Sequence, residues 1–177
     1  ECGGRVRGIL WYQGESDGTP ERARRYAAAM KGLVARMRDD FGGDLPFLFV
    51  QIGRVLTFAD DKNLADHTPD AWDRIRCRQE VLSRTMGNVE MTTAVDLELD
   101  NKIHHSCEAL KTVGRRLALL AARRAYGQRG IRPGPRIASI RPCRDGTDAC
   151  LDAAFRGVNG RLVAGGRPSG FRVFRRN

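Results

Sequence analysis

Val6-Arg7-Gly8-Ile9-Leu10-Trp11-Tyr12 leads into Gln13-Gly14-Glu15-Ser16-Asp17-Gly18 and then Thr19-Pro20-Glu21, and this stretch decides the fold. The first segment is apolar, carries branched and aromatic side chains and is bounded by glycine, which predicts a buried strand. The second is a polar loop. The third combines a capping residue, a proline in the first turn and an acid near the N-terminus, which opens a helix. Tyr26, Met30, Leu33, Val34, Met37 and Phe41 then recur every three or four residues up to Gly42-Gly43, so that helix has one apolar face.

The same alternation continues outward. Phe47 to Ile52 predicts a second buried strand, ended by Gly53. The polar stretch from Arg54 to Pro69 has no periodicity and predicts a long loop, of the kind that borders a site. Trp72, Ile75, Val81 and Leu82 mark a helix, and Met91 to Val95 a third strand. The polar stretch Asp96 to Ser106 precedes a helix from about Glu108 to Tyr126, with Leu110, Val113, Leu117 and Leu120 on one stripe and Gly127 as its stop. Strands and helices alternating with such connections predict an α/β protein, a parallel sheet covered by helices. After Gly130 the texture changes. Pro133-Gly134-Pro135 reads as a linker, and Arg136–Ile140, Ala154–Val158, Arg161–Val163 and Phe171–Val173 as short strands of a small β module. The expected division is 1–130 and 131–177.

The 177 residues suffice for one compact domain and its core. A content of 41% hydrophobic and 29% charged residues is that of a globular chain, which excludes a disordered tail. Apolar runs are only a handful of residues long, so no bilayer-spanning segment and no membrane partner are expected. Lys and Arg number 31 against 21 acids, a formal charge of +10 that would suit a polyanion. However, the cations are spread along helices (Arg22, Arg24, Arg25, Lys31, then Arg115, Arg116, Arg123, Arg124), with no aromatic interleaving, so no nucleic acid partner is expected. No basic start with a following apolar stretch is seen, and the chain reads as beginning in mid-domain. Of five cysteines, Cys143 and Cys150 flank a polar turn, and both a small disulfide loop and two free thiols fit. No Cys/His cluster has metal-ligand spacing, so neither a metal nor another cofactor is expected.

In doubly wound sheets the chemistry sits at the carboxyl ends of the strands. Two polar clusters fall there: Gln13 to Asp17, and Asp96 to His105. A side-chain amide can donate to a developing oxyanion, and a histidine ahead of a helix can act as general base if a carboxylate holds its other nitrogen. Such parts suit acyl transfer to and from a serine. Plainer roles compete: packing for Trp11, helix capping for Glu15 and Asp17, loop-fixing for Asp96, surface positions for His67 and His105, and an N-cap for Ser106.

Gly8-Ile9-Leu10-Trp11-Tyr12-Gln13-Gly14-Glu15-Ser16-Asp17 closely resembles the Trp-x-Gln-Gly-Glu block of the sialate O-acetylesterase and acetylxylan esterase branch of the SGNH (GDSL-like) hydrolases. Asp96 to His104, followed by Gly114-Arg115-Arg116-Leu117-Ala118, resembles the late catalytic block of the same branch. The resemblance runs from about Gly4 to Tyr126, and more weakly through Phe155-Arg156-Gly157-Val158. It implies a three-layer α/β/α, flavodoxin-like sheet, an O-acetylated carbohydrate substrate and serine acyl-enzyme chemistry without a cofactor. It also implies that His104 is the catalytic histidine and Gln13 the oxyanion donor, with Gly14, Glu15 and Asn101 beside the substrate. The family places its triad Asp three residues before the His. Asn101 stands there, with Asp100 one residue further away, so either Asp100 swings in or the site is weakened. The serine block of the family has no counterpart, since Ser16, Ser83, Ser106, Ser139 and Ser169 all stand in other contexts. The expectation is therefore the C-terminal part of a longer esterase, lacking the first strand and nucleophile loop and inactive alone. The alternative is a non-catalytic carbohydrate-binding protein of the same descent. A secreted or periplasmic location is favoured, and the oligomeric state is open.

Overall fold

The computed structural model describes residues 4–56 and 62–163. In chain order the elements are β1 (Ile9–Tyr12), α1 (Pro20–Phe41), β2 (Phe47–Gln51), α2 (Pro69–Thr85), β3 (Val89–Thr93), α3 (Cys107–Arg124), β4 (Arg136–Asp145) and β5 (Asp148–Arg156). β1, β2 and β3 form one parallel sheet in that order, with Ile9 opposite Phe47 and Phe47 opposite Val89. The two-residue period of β2 distributes its side chains over both faces. Phe47 and Phe49 pack with Tyr26, Met30 and Val34 of α1 and Trp72, Ile75 and Leu82 of α2. Leu48 and Val50 pack with Val113, Leu117 and Leu120 of α3. The result is the three-layer α/β/α arrangement that the alternation predicts.

Each long helix starts with a hydroxyl cap. Thr19, Thr68 and Ser106 accept from the backbone N–H of Arg22, Ala71 and Ala109 at 3.3, 3.1 and 3.1 Å. Glu90 of β3 is only 6% exposed, and Arg123 and Arg124 of α3 hold its carboxylate. No helix among the described residues is long and apolar enough to cross a membrane.

Some expectations need correction. β1 begins at Ile9, and it is not a buried strand: among the described residues it pairs only with β2, and Leu10 is 58% exposed. Val81 and Leu110 are exposed because each sits one residue off its helix's stripe, a turn of about 100°. Gln79 and Ala109 occupy the buried positions instead. Phe41, the last residue of α1, is also exposed. The Gln13–Gly18 and Arg54–Pro69 loops contain the single 3-10 turns Glu15–Asp17 and Lys62–Leu64, and residues 57–61 of the second lie outside the described residues.

The chain divides into two compact units between Pro133 and Gly134. In the second, β4 and β5 form an antiparallel hairpin in which Cys143 faces Cys150, and the two are joined as a disulfide. The expected strands at Arg136–Ile140 and Ala154–Val158 are therefore parts of one longer ribbon. A bulge at Ala138 keeps Ile137 and Ile140, three residues apart, on one face with Phe155 and Ala153. Arg161–Val163 is irregular rather than a strand, and Phe171–Val173 lies outside the described residues.

Candidate active site

The turn after β1 is held from beneath. Gly14 is buried with φ 152°, and a Cβ there would meet Ile52 Cγ2 at 2.7 Å and Gln79 Nε2 at 3.3 Å, so only glycine fits. The Gln13 carbonyl accepts from the Tyr26 hydroxyl at 3.3 Å and from Gln79 Nε2 at 3.4 Å. Gln79 is 0% exposed. Its Oε1 accepts from the Ile52 N–H at 3.0 Å, and its Nε2 also donates to the Tyr26 oxygen at 2.9 Å. One and two turns earlier on α2, Arg76 Nη1 and Trp72 Nε1 donate to the Gly53 carbonyl at 3.1 and 2.9 Å. Neither motif nor composition singles out Gln79. Its signal was positional, because it falls between Ile75 and Leu82 on the buried stripe, where an amide must find partners.

Above this support, Gln13 Nε2 donates one hydrogen to Asp17 Oδ2 at 2.7 Å, and an amide has a second to offer. Asp17 thus orients Gln13, while Thr19 caps α1. The buried Gly14, expected beside the substrate, shapes the turn. His67, expected on the surface, is half-buried: Nε2 donates to the Glu15 carbonyl at 3.0 Å, and the ring packs 6.1 Å from Trp72.

The loop after β3 is held mostly by itself. Asp96 receives a two-pronged bond from Arg116, at 2.7 and 2.6 Å, and the same guanidinium reaches the Thr93 carbonyl at 2.8 Å. This fork holds the Asp96 carboxyl below the usual range. Leu99 and His105 form an antiparallel bridge, and Asp100 N–H donates to the His104 carbonyl at 2.9 Å. Within that narrow loop, Asn101 Oδ1 accepts from the N–H groups of Ile103 and His104 at 3.1 and 2.9 Å. The same carboxamide faces the His104 ring, with Oδ1 3.1 Å and Nδ2 3.0 Å from Nδ1. The partner of His104 is therefore Asn101. Asp100 does not swing in, because its backbone closes the loop one residue earlier.

His105 is buried rather than on the surface, at 9% exposure. Its Nδ1 must donate to the Glu98 carbonyl, 3.0 Å away, since that oxygen can only accept. Ser106 caps α3, as expected, and its hydroxyl also donates to Glu98 Oε1 at 2.6 Å. The two loops approach each other where the Tyr12 ring lies 6.2 Å from the His105 ring. Burial pushes the Glu15 carboxyl up, against smaller opposing effects that include His105 and His104. Burial, with the nearby Glu15 carboxyl, pushes the Tyr12 phenol far up. Burial likewise pushes Tyr26 up to about 12, so it stays a neutral donor. An amide donor and an imidazole thus both stand on loops at the carboxyl end of the sheet, and they are the parts that general-base acyl transfer uses.

Comparison with known proteins bears on the family and the fold. The family model SASA, described as carbohydrate esterase, sialic acid-specific acetylesterase, matches residues 1–123. Among curated proteins none matches. Of solved structures, a carbohydrate acetylesterase from Xanthomonas citri is similar at a TM-score of 0.63 and 26% identity, over 84% of this chain and 32% of that one. A protein from Arabidopsis thaliana is similar at a TM-score of 0.53 and 30% identity, over 69% of this chain and 45% of that one. The chain spans less than half the length of either structure.

Proposed function

The chain belongs to the sialic acid-specific acetylesterase family of carbohydrate esterases, and on that premise we propose that the protein carrying it removes O-acetyl groups from a carbohydrate through a serine acyl-enzyme. In this reading the nucleophilic serine comes from another part of that protein. His104 takes the proton of that serine and later returns it, and Gln13 donates to the oxyanion. The Cys143–Cys150 bond supports a secreted or periplasmic location.

The observation that carries the proposal is that the Gln13 turn and the His104 loop leave the carboxyl end of one parallel sheet, where the Tyr12 and His105 rings lie 6.2 Å apart. A second reading, a carbohydrate-binding protein without catalysis, is favoured by Asn101. General-base action needs a proton on Nδ1 of His104 and a bare Nε2. A carboxylate enforces this because it can only accept, whereas a carboxamide also offers a hydrogen to a bare Nδ1. The test is hydrolysis of an acetylated aryl ester and an acetylated sugar by the whole protein and its Asn101→Asp variant. The esterase reading expects activity that rises about tenfold or more in the variant. No hydrolysis by either protein, with acetylated sugar still bound, establishes the binding reading.

A further inference from the structure

Gln79 combines complete burial with more polar contacts than a core residue needs. Its oxygen satisfies the Ile52 N–H at 3.0 Å. Its nitrogen has two hydrogens and three acceptors within reach: the Tyr26 hydroxyl at 2.9 Å, the Gln13 carbonyl at 3.4 Å and the Val50 carbonyl at 3.5 Å. A buried apolar residue of that size would fill the space, so the amide is there for what it binds. Its partners are the ends of two neighbouring strands, β1 at Gln13 and β2 at Val50 and Ile52. Tyr26, from α1, meets both the amide and the Gln13 carbonyl.

We infer that Gln79, with Tyr26, is a positioning residue for Gln13. The pair grips the Gln13 carbonyl from below, so the peptide cannot rotate and the carboxamide above it keeps one direction. Gly14 makes the close approach of Gln79 possible, because any Cβ would intrude between Gln79 and Ile52. Preorganisation of this kind matters for an oxyanion donor, since a misplacement of about 1 Å can cost about a hundredfold in rate. The inference rests on reading Gln13 as that donor, but its structural half does not require activity.

The experiment is a pair of variants, Gln79→Met and Tyr26→Phe, followed by nuclear magnetic resonance of the isotope-labelled chain. The side-chain amide signals of Gln13 should shift in both variants, with those of Asn101 unchanged as an internal control. If Gln79→Met does not fold, Tyr26→Phe decides alone. Gln13 signals that superimpose on the wild type overturn the inference, even where the melting temperature falls. In the whole protein, kcat should fall about tenfold to a hundredfold with little change in KM. Shifted Gln13 signals with an unchanged kcat keep the positioning role and instead refute Gln13 as the oxyanion donor.

Discussion

The Gln13 turn and the His104 loop stand at the ends of β1 and β3, yet they are built on opposite principles. The Gln13 turn is short, partly buried and gripped by side chains from α1 and α2, more than ten residues away in sequence. The His104 loop is exposed and gripped by its own Asn101, within three residues. The difference teaches where each half of the chemistry draws its precision. An oxyanion donor has to be rigid before charge develops, and a packed core supplies that rigidity. An imidazole needs one defined partner, and a turn built on a side-chain amide can present it locally.

The sharpest way to break this contrast is Gly14→Ala. The left-handed φ and the 2.7 Å approach to Ile52 predict a loss of about 3 kcal/mol in urea unfolding. The Asn101–His104 contacts should survive in the folded fraction, visible as unchanged Asn101 amide signals. Their collapse would show that the two loops are one unit. The reverse experiment, Asn101→Ala, should cost about 1 kcal/mol or less and speed amide exchange at Ile103 and His104. A shift of the Gln13 signals in that variant would contradict the independence of the two loops.

Smaller effects come from the carboxyls that flank the loops, and they should differ in sign. Burial raises Glu15 above its ordinary range, so its contribution to stability is full at acid pH and is lost as pH rises through the raised value. Glu15→Gln should therefore gain on the wild type between about pH 4 and 7. Arg116 lowers Asp96, so its contribution is present above the ordinary carboxylate range and is lost as pH falls through the lowered value. Asp96→Asn should lose on the wild type at neutral pH and draw level with it in acid. Urea midpoints of both variants across that range check the signs, and two slopes of the same sign would contradict this account.

Much of the unit before Pro133 was legible because its signals are local. The two-residue period of Phe47 to Gln51 and the three- and four-residue spacing from Tyr26 to Val34 each act within one element. The caps Thr19 and Ser106 bond the residue three positions on, so their sequence context was enough, whereas Thr68 at the end of a long loop was not read as a cap. The ribbon after Gly134 was less legible. Its strands run straight through Pro142 and the two cysteines, and a bulge breaks the alternation that periodicity relies on.

The sequence by itself determined that strands and helices alternate, that two polar clusters close β1 and β3, and that Gln13 and His104 carry the family's motifs. It did so because periodicity, capping and motif spacing are properties of neighbouring residues. Only the tertiary structure decided that Asn101 rather than Asp100 faces His104, that His105 is buried, and that Gln79 grips the Gln13 carbonyl. In each case the physical reason is a hydrogen bond whose partner depends on how a loop closes or on which element packs beneath it.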